Sequence, residues 1–284
     1  MSRIELCGAT FECFEQGSGT PVVLLHSTGA SSAQWRALAQ RLCSRFHVIA
    51  PDLYGYGASA NWSGRGVFRL ADEARLVHAL LDRLDEPAHL VGHSYGGAVA
   101  LDVARTHGAL LRSLTLIEPV AFFLLAIGDA ADAAAMREIT EVAAVVGRSL
   151  ACGDYAGGCG HFVDYWSGPG TWARLASEQR DALAARLSKV ALDFQATIHE
   201  PVHLAELQRI AVPTLLLQGS CTAAPTRRIC RRLAHTLPGV RVRTIDGANH
   251  MAPFTHRDEV NDLVVANLDA TAHERQPAHA SVSA

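Results

Sequence analysis

The sequence predicts an α/β protein, a mostly parallel sheet with helices on both faces and one all-helical insertion. Three observations predict it. Short apolar runs alternate with amphipathic stretches, the pattern of strands joined by crossover helices. The run Pro21-Val22-Val23-Leu24-Leu25 is apolar without alternation, which suits a strand buried on both faces. The alternation breaks once, from about Val120 to Ile210, in an alanine-rich stretch of roughly 90 residues with helical periodicity and no convincing strand, well beyond the length of a crossover.

Taken in order, Ile4 to Cys7 and Thr10 to Glu15 read as a hairpin around Gly8. The strand Pro21–Leu25 ends in His26-Ser27-Thr28-Gly29, and Ser31 or Ser32 supplies an N-cap for a helix that places Trp35, Leu38, Ala39 and Leu42 on one side. Phe46 to Ala50 is the next strand, halted by Pro51-Asp52. The glycine-rich turn Tyr54-Gly55-Tyr56-Gly57-Ala58-Ser59 lacks the lysine of a phosphate loop, and no helix opens directly after it. A helix over about Leu70–Leu84, a strand Ala88–Val91, a tight turn Gly92–Gly96 and a helix through about Arg105 follow. Ser113 to Ile117 is a strand closed by Glu118-Pro119. The insertion breaks at Gly157–Gly160 and at Ser167–Gly170. After it come a strand Val212–Gln218, a helix Pro225–Leu237, a strand Val240–Ile245, a loop through His250 and a last helix from about Asp258 to Leu268. The expected organisation is a core of residues 1–119 and 211–270, a helical unit at 120–210, and a disordered tail at 271–284 with little to bury.

Composition narrows the function classes. At 284 residues with 49% hydrophobic and 19% charged residues, the chain has the makings of a full core and not of a disordered segment. Lys+Arg (25) fall below Asp+Glu (28), which argues against a nucleic-acid partner. Glu5 interrupts the start where a signal peptide needs an apolar run, and no stretch approaches the roughly 20 apolar residues of a membrane span. The expectation is a cytoplasmic protein with no membrane partner and a small-molecule substrate. Seven cysteines, an odd number without a dense framework, read as reduced core residues. Cys152, Cys159 and His161 have neither a Cys-x-x-Cys pair nor a fourth ligand at usual spacing, so no metal and no other cofactor is expected.

The chemistry concentrates at Gly92-His93-Ser94-Tyr95-Gly96-Gly97, which follows an apolar strand and opens an amphipathic helix. In that context Gly-x-Ser-x-Gly holds a serine on a sharp turn near a helix N-terminus, where free N–H groups favour developing negative charge. A serine hydroxyl is a weak nucleophile at neutral pH and needs a histidine base within reach. Of fourteen histidines, His250 lies after the last strand, on a loop at the sheet edge that bears Ser94. His47, His78, His107 and His256 sit in or beside helices, and His93 is turned away by the elbow.

Together these residues resemble the α/β-hydrolase family over nearly the whole chain before the tail. The elbow at Ser94, the His26-Ser27-Thr28-Gly29 turn, the stretch Pro51 to Ser59 and the late His250 occur in that family's order. The resemblance implies a mostly parallel eight-stranded sheet, a helical cap over the active site, and an oxyanion hole from the backbone N–H groups of Tyr95 and of Thr28 or Ser27. Two departures stand out. Ser27 replaces the glycine that relatives carry after the histidine, and Gly219-Ser220-Cys221-Thr222 places threonine where relatives have the acid. Glu118, at the end of the strand before the cap, is the expected replacement, against the plainer reading that it only ends the strand; Asp246 is the next candidate. Aromatics cluster in or beside the cap (Phe122, Phe123, Tyr155, Phe162, Tyr165, Trp166, Trp172), and although most such residues are core, an apolar pocket is expected. Its candidate substrate contacts are Phe122, Phe123 and Trp166, with His26 and Met251.

The implied function is a cofactor-independent serine hydrolase cleaving a small, mainly apolar ester, lactone or related acyl substrate. Ser94, His250 and Glu118 would be its catalytic residues. Carbon–carbon bond hydrolysis or perhydrolysis uses the same triad, and a ligand-binding member of weak catalytic power is the alternative from another class.

Overall fold

The computed structural model describes residues 2–201 and 204–273. Eight strands form one sheet in the order β1-β2-β4-β3-β5-β6-β7-β8. These are β1 (Ser2–Leu6), β2 (Ala9–Gln16), β3 (Thr20–Leu25), β4 (Phe46–Pro51), β5 (Ala88–His93), β6 (Leu111–Ile117), β7 (Thr214–Gly219) and β8 (Arg241–Ile245). The first two pairings are antiparallel, because β1 and β2 are a hairpin turned by Cys7 and Gly8 at φ 51° and 75°. Every other pairing is parallel. Central β3 and β5 have burial on both faces, which explains why their sequences do not alternate.

Helices α1 (Arg36–Leu42), α2 (Leu70–Leu81) and α3 (Tyr95–His107) connect the first six strands. Between β6 and β7 the described residues hold helices only: a 3-10 turn over Phe122–Ile127, then α4 (Ala130–Cys152), α5 (Tyr155–Ser167), α6 (Thr171–Arg174), α7 (Ser177–Ala184), α8 (Leu187–Ile198) and α9 (Leu204–Leu207). The chain finishes with α10 (Ala224–Thr236), α11 (Ala252–Thr255) and α12 (Arg257–His273). Two hydrophobic clusters fill the two faces of the sheet, and the larger continues into the inserted helices through Phe122, Ile139, Trp166 and Phe194. No described helix is long and apolar enough to cross a membrane.

Three local expectations are corrected. Neither Ser31 nor Ser32 caps with its side chain: a 3-10 turn over Ser32–Trp35 precedes α1, and the Ser32 N–H donates to Asp52 Oδ1 at 2.6 Å. Helix α2 stops at Leu81 rather than Leu84. The chain stays helical past 270, with buried Thr271 donating its hydroxyl to the Asn267 carbonyl at 2.8 Å, so the tail cannot begin at 271; residues 274–284 lie outside the described residues.

Candidate active site

Strand β5 delivers its last residue straight into α3 through Ser94, whose φ of 56° and ψ of −117° lie where side-chain-bearing residues are rarely found. The flanking glycines are sterically required. A Cβ on Gly92 would lie 2.3 Å from the Gly96 carbonyl oxygen, and one on Gly96 would lie 2.4 Å from that of Leu25. The turn is pinned on both sides, since the Ser94 N–H donates to the Ile117 carbonyl (2.9 Å) and the Ser94 carbonyl accepts from Ala98 (3.1 Å). The hydroxyl is thereby fixed above the carboxyl ends of the strands.

His250, on the loop between β8 and α11, approaches that hydroxyl with Nε2 at 2.9 Å from Ser94 Oγ. Its Nδ1–H donates to Glu118 Oε2 at 3.2 Å. Glu118 is fully buried and itself has a positive φ of 49°. Its carboxylate also accepts the Gly219 N–H at Oε1 (2.6 Å) and the Thr222 hydroxyl at Oε2. Thr222, at the position where the resemblance implies an acid, therefore helps to hold the Glu118 carboxylate. Asp246 is exposed and accepts from Ser220 Oγ at 3.1 Å, away from His250. The ring of Trp166 covers the imidazole, with centroids 4.0 Å apart.

Tyr95 is the first residue of α3, and neither its N–H nor that of Thr28 has a hydrogen-bond partner among the described residues. Both amides border the space beside Ser94. Ser27, the alternative oxyanion donor, is already committed: its N–H and its hydroxyl both donate to Gln34 Oε1 at 3.1 Å. Gln34 in turn donates through Nε2 to His93 Nδ1 (3.1 Å), and His93 Nε2–H donates to the His250 carbonyl (3.0 Å). This bridge ties the loop of Ser27 and Thr28 to the loop carrying His250. It requires a neutral His93, and burial first, then the neighbouring His250, push its pKa down to about 3.

Two chambers meet at Ser94. The larger, about 270 Å³, is mainly apolar and is bordered by His250, Trp166, Met251, Leu175, Leu183 and Phe254. The smaller, about 20 Å³, is bordered by Tyr95, Phe122, Val190, Asp193, Phe194 and Thr197. Of the five residues expected to contact substrate, Phe122, Trp166 and Met251 border these chambers. His26 does not. It is fully buried, donates from Nδ1 to the Ser27 carbonyl (2.8 Å) and accepts the Leu53 N–H at Nε2 (3.0 Å), so neither ring nitrogen is free. Burial lowers its pKa to about 4. Phe123 is buried within the 3-10 turn and borders neither chamber. Among the described residues no three His, Cys, Asp or Glu side chains converge as a metal site.

The geometry has a match across the chain. Residues 22–263 fit the sequence profile of the alpha/beta hydrolase family. The chain belongs to that family. Among curated relatives, the dihydrolipoyllysine-residue acetyltransferase component of the acetoin cleaving system of Pseudomonas putida is 42% identical over 118 residues, 40% of this chain but 31% of that protein. The (E)-2-((N-methylformamido)methylene)succinate hydrolase of Acinetobacter baylyi is 24% identical over 274 residues, covering 92% of this chain and 95% of that one. A thermophilic esterase of Thermogutta terrifontis shares the fold with a TM-score of 0.74 at 23% identity, over 95% of this chain and 99% of that one.

This alpha/beta hydrolase also carries a buried charge cluster that sequence reading missed. Lys189 of α8 reaches Glu73 of α2 (3.1 Å) and Asp193 one turn on, beneath the rings of Tyr56, Phe68 and Tyr95. Asp193 Oδ2 accepts the hydroxyls of Tyr56 (2.6 Å) and of Thr28 (2.7 Å), and Glu73 accepts that of Tyr95 (2.9 Å). Both side chains flanking the oxyanion position are thus anchored in it. Burial, which opposes the lysine's charge, is outweighed by Asp193 and Glu73, so Lys189 stays protonated. The available signal was a Lys–Asp pair at i,i+4 on the face of α8 that also carries Val190 and Phe194.

Proposed function

We propose that the protein is a cofactor-independent serine hydrolase cleaving a small, mainly apolar ester or related acyl substrate through an acyl-enzyme. The hydrogen-bonded chain Ser94–His250–Glu118 carries this reading, because it joins a nucleophile, a base and a buried carboxylate in the order the chemistry needs. His250 Nε2 takes the Ser94 proton as Oγ attacks the carbonyl carbon. The Tyr95 and Thr28 amides receive the resulting oxyanion, and the Glu118 carboxylate holds the imidazolium. Collapse passes the proton from Nε2 to the leaving oxygen and leaves the acyl group on Ser94. A water, deprotonated by His250, then attacks that ester, and the acid departs as Ser94 regains its proton.

The hydrolase named among the full-length relatives supports this reading, as does the mainly apolar chamber at the nucleophile. An acid supplied by Glu118 removes the reason for favouring a ligand-binding member without turnover. The test is hydrolysis of p-nitrophenyl acetate. Ser94→Ala is expected to lower kcat/KM by at least about 10³-fold with the fold retained by circular dichroism. A wild-type rate equal to that of Ser94→Ala would overturn the assignment.

A further inference from the structure

The two chambers differ in size and in what they offer the reaction, and that difference sets the direction in which an ester must lie. We propose that the protein prefers esters with an acetyl-sized acyl group and a bulky apolar alcohol. This rests on the serine hydrolase reading above. The proton that His250 takes from Ser94 has to be handed to the leaving oxygen, so the alcohol half must lie where His250 is within reach. His250 borders the larger chamber and not the smaller. The acyl half is therefore left with the smaller one, beside the Tyr95 amide.

That chamber offers about 20 Å³ against about 270 Å³ in the larger one, so the short half of the ester belongs in it. The walls are braced: Phe122 and Phe194 stack with centroids 6.3 Å apart, and Asp193 is held by Lys189, Tyr56 and Thr28. A longer acyl chain would have to displace this packing or bring its methylenes against a buried carboxylate. The larger chamber, about 270 Å³ and bordered by Leu175, Leu183, Met251 and Phe254, takes an alcohol of several carbons without rearrangement.

Hexyl acetate and ethyl hexanoate separate these directions, because they are isomers of equal size and differ in which half is long. Hydrolysis of each is followed by pH-stat titration. The expected kcat/KM for hexyl acetate exceeds that for ethyl hexanoate by at least about tenfold, since even one misplaced methylene is commonly worth that much. A ratio near one, a preference for ethyl hexanoate, or turnover of neither isomer by protein that cleaves p-nitrophenyl acetate would overturn the proposal. Phe194→Ala, which opens the smaller chamber alone, is expected to bring the ratio towards one; a ratio unchanged in a folded variant would count against the assignment of that chamber to the acyl group. The Ser94→Ala comparison decides the serine hydrolase reading separately, so failure of that reading is distinguishable from failure of the orientation.

Discussion

Thr222 occupies the position where the family's acid is missing and donates its hydroxyl to Glu118, the carboxylate proposed above to replace it. The exchange works because β6 and β7 are parallel neighbours, paired from Leu114↔Thr214 to Ile117↔Leu217, so their ends lie about 4.8 Å apart. A glutamate on one reaches what a shorter aspartate on the other would reach. The nearness of Glu118 to His250 is legible in the sequence for that reason: adjacency of strand ends follows from fold order. The partners of Ser27 and His26 are not legible, because Gln34 and Leu53 come from other segments. Thr222→Val removes one of three donors to a buried carboxylate, and hydrogen bonds to charged groups are worth about 1.5–3 kcal/mol. The expected result is a kcat for p-nitrophenyl acetate lowered about tenfold or more with KM little changed; an unaltered kcat would show that Thr222 does not hold the acid.

Helix α8 shows how an element can be legible while its role is not. Leu187, Val190 and Phe194 give it an apolar face, and periodicity reads that correctly. Lys189 and Asp193 look like an ordinary solvated i,i+4 pair, yet packing of α8 against α3 and α4, with Glu73 of α2 reaching Lys189, places them among the buried residues. Burial of such charges is tolerated only with partners, and here Glu73 and three hydroxyls supply them. Lys189→Met leaves Glu73 and Asp193 facing each other without a cation. Urea unfolding is expected to show a loss of about 3–5 kcal/mol. A change below about 0.5 kcal/mol, the size ordinary for surface substitutions, would mean that the cluster does not dock α8 to the core.

At the scale of the molecule, the succession of strands and helices along the chain and the helical nature of the insertion could be read from patterning, because each strand and helix has to bury a face with its own period. The chambers could not. Thr28 and Asp193 meet across 165 positions of sequence, and the volume they help to enclose depends on how α8 packs against the neighbouring helices. Hydrogen bonds between segments of the core join a strained serine, a loop histidine and a strand-end glutamate into one connected unit. Its most direct test is intact-mass detection after treatment with a fluorophosphonate, which phosphonylates only a serine activated by such a unit. The expected result is a single adduct, mapped by peptide analysis to Ser94 and absent in Ser94→Ala; no adduct, or one on another residue, would contradict the assignment of Ser94 as the nucleophile.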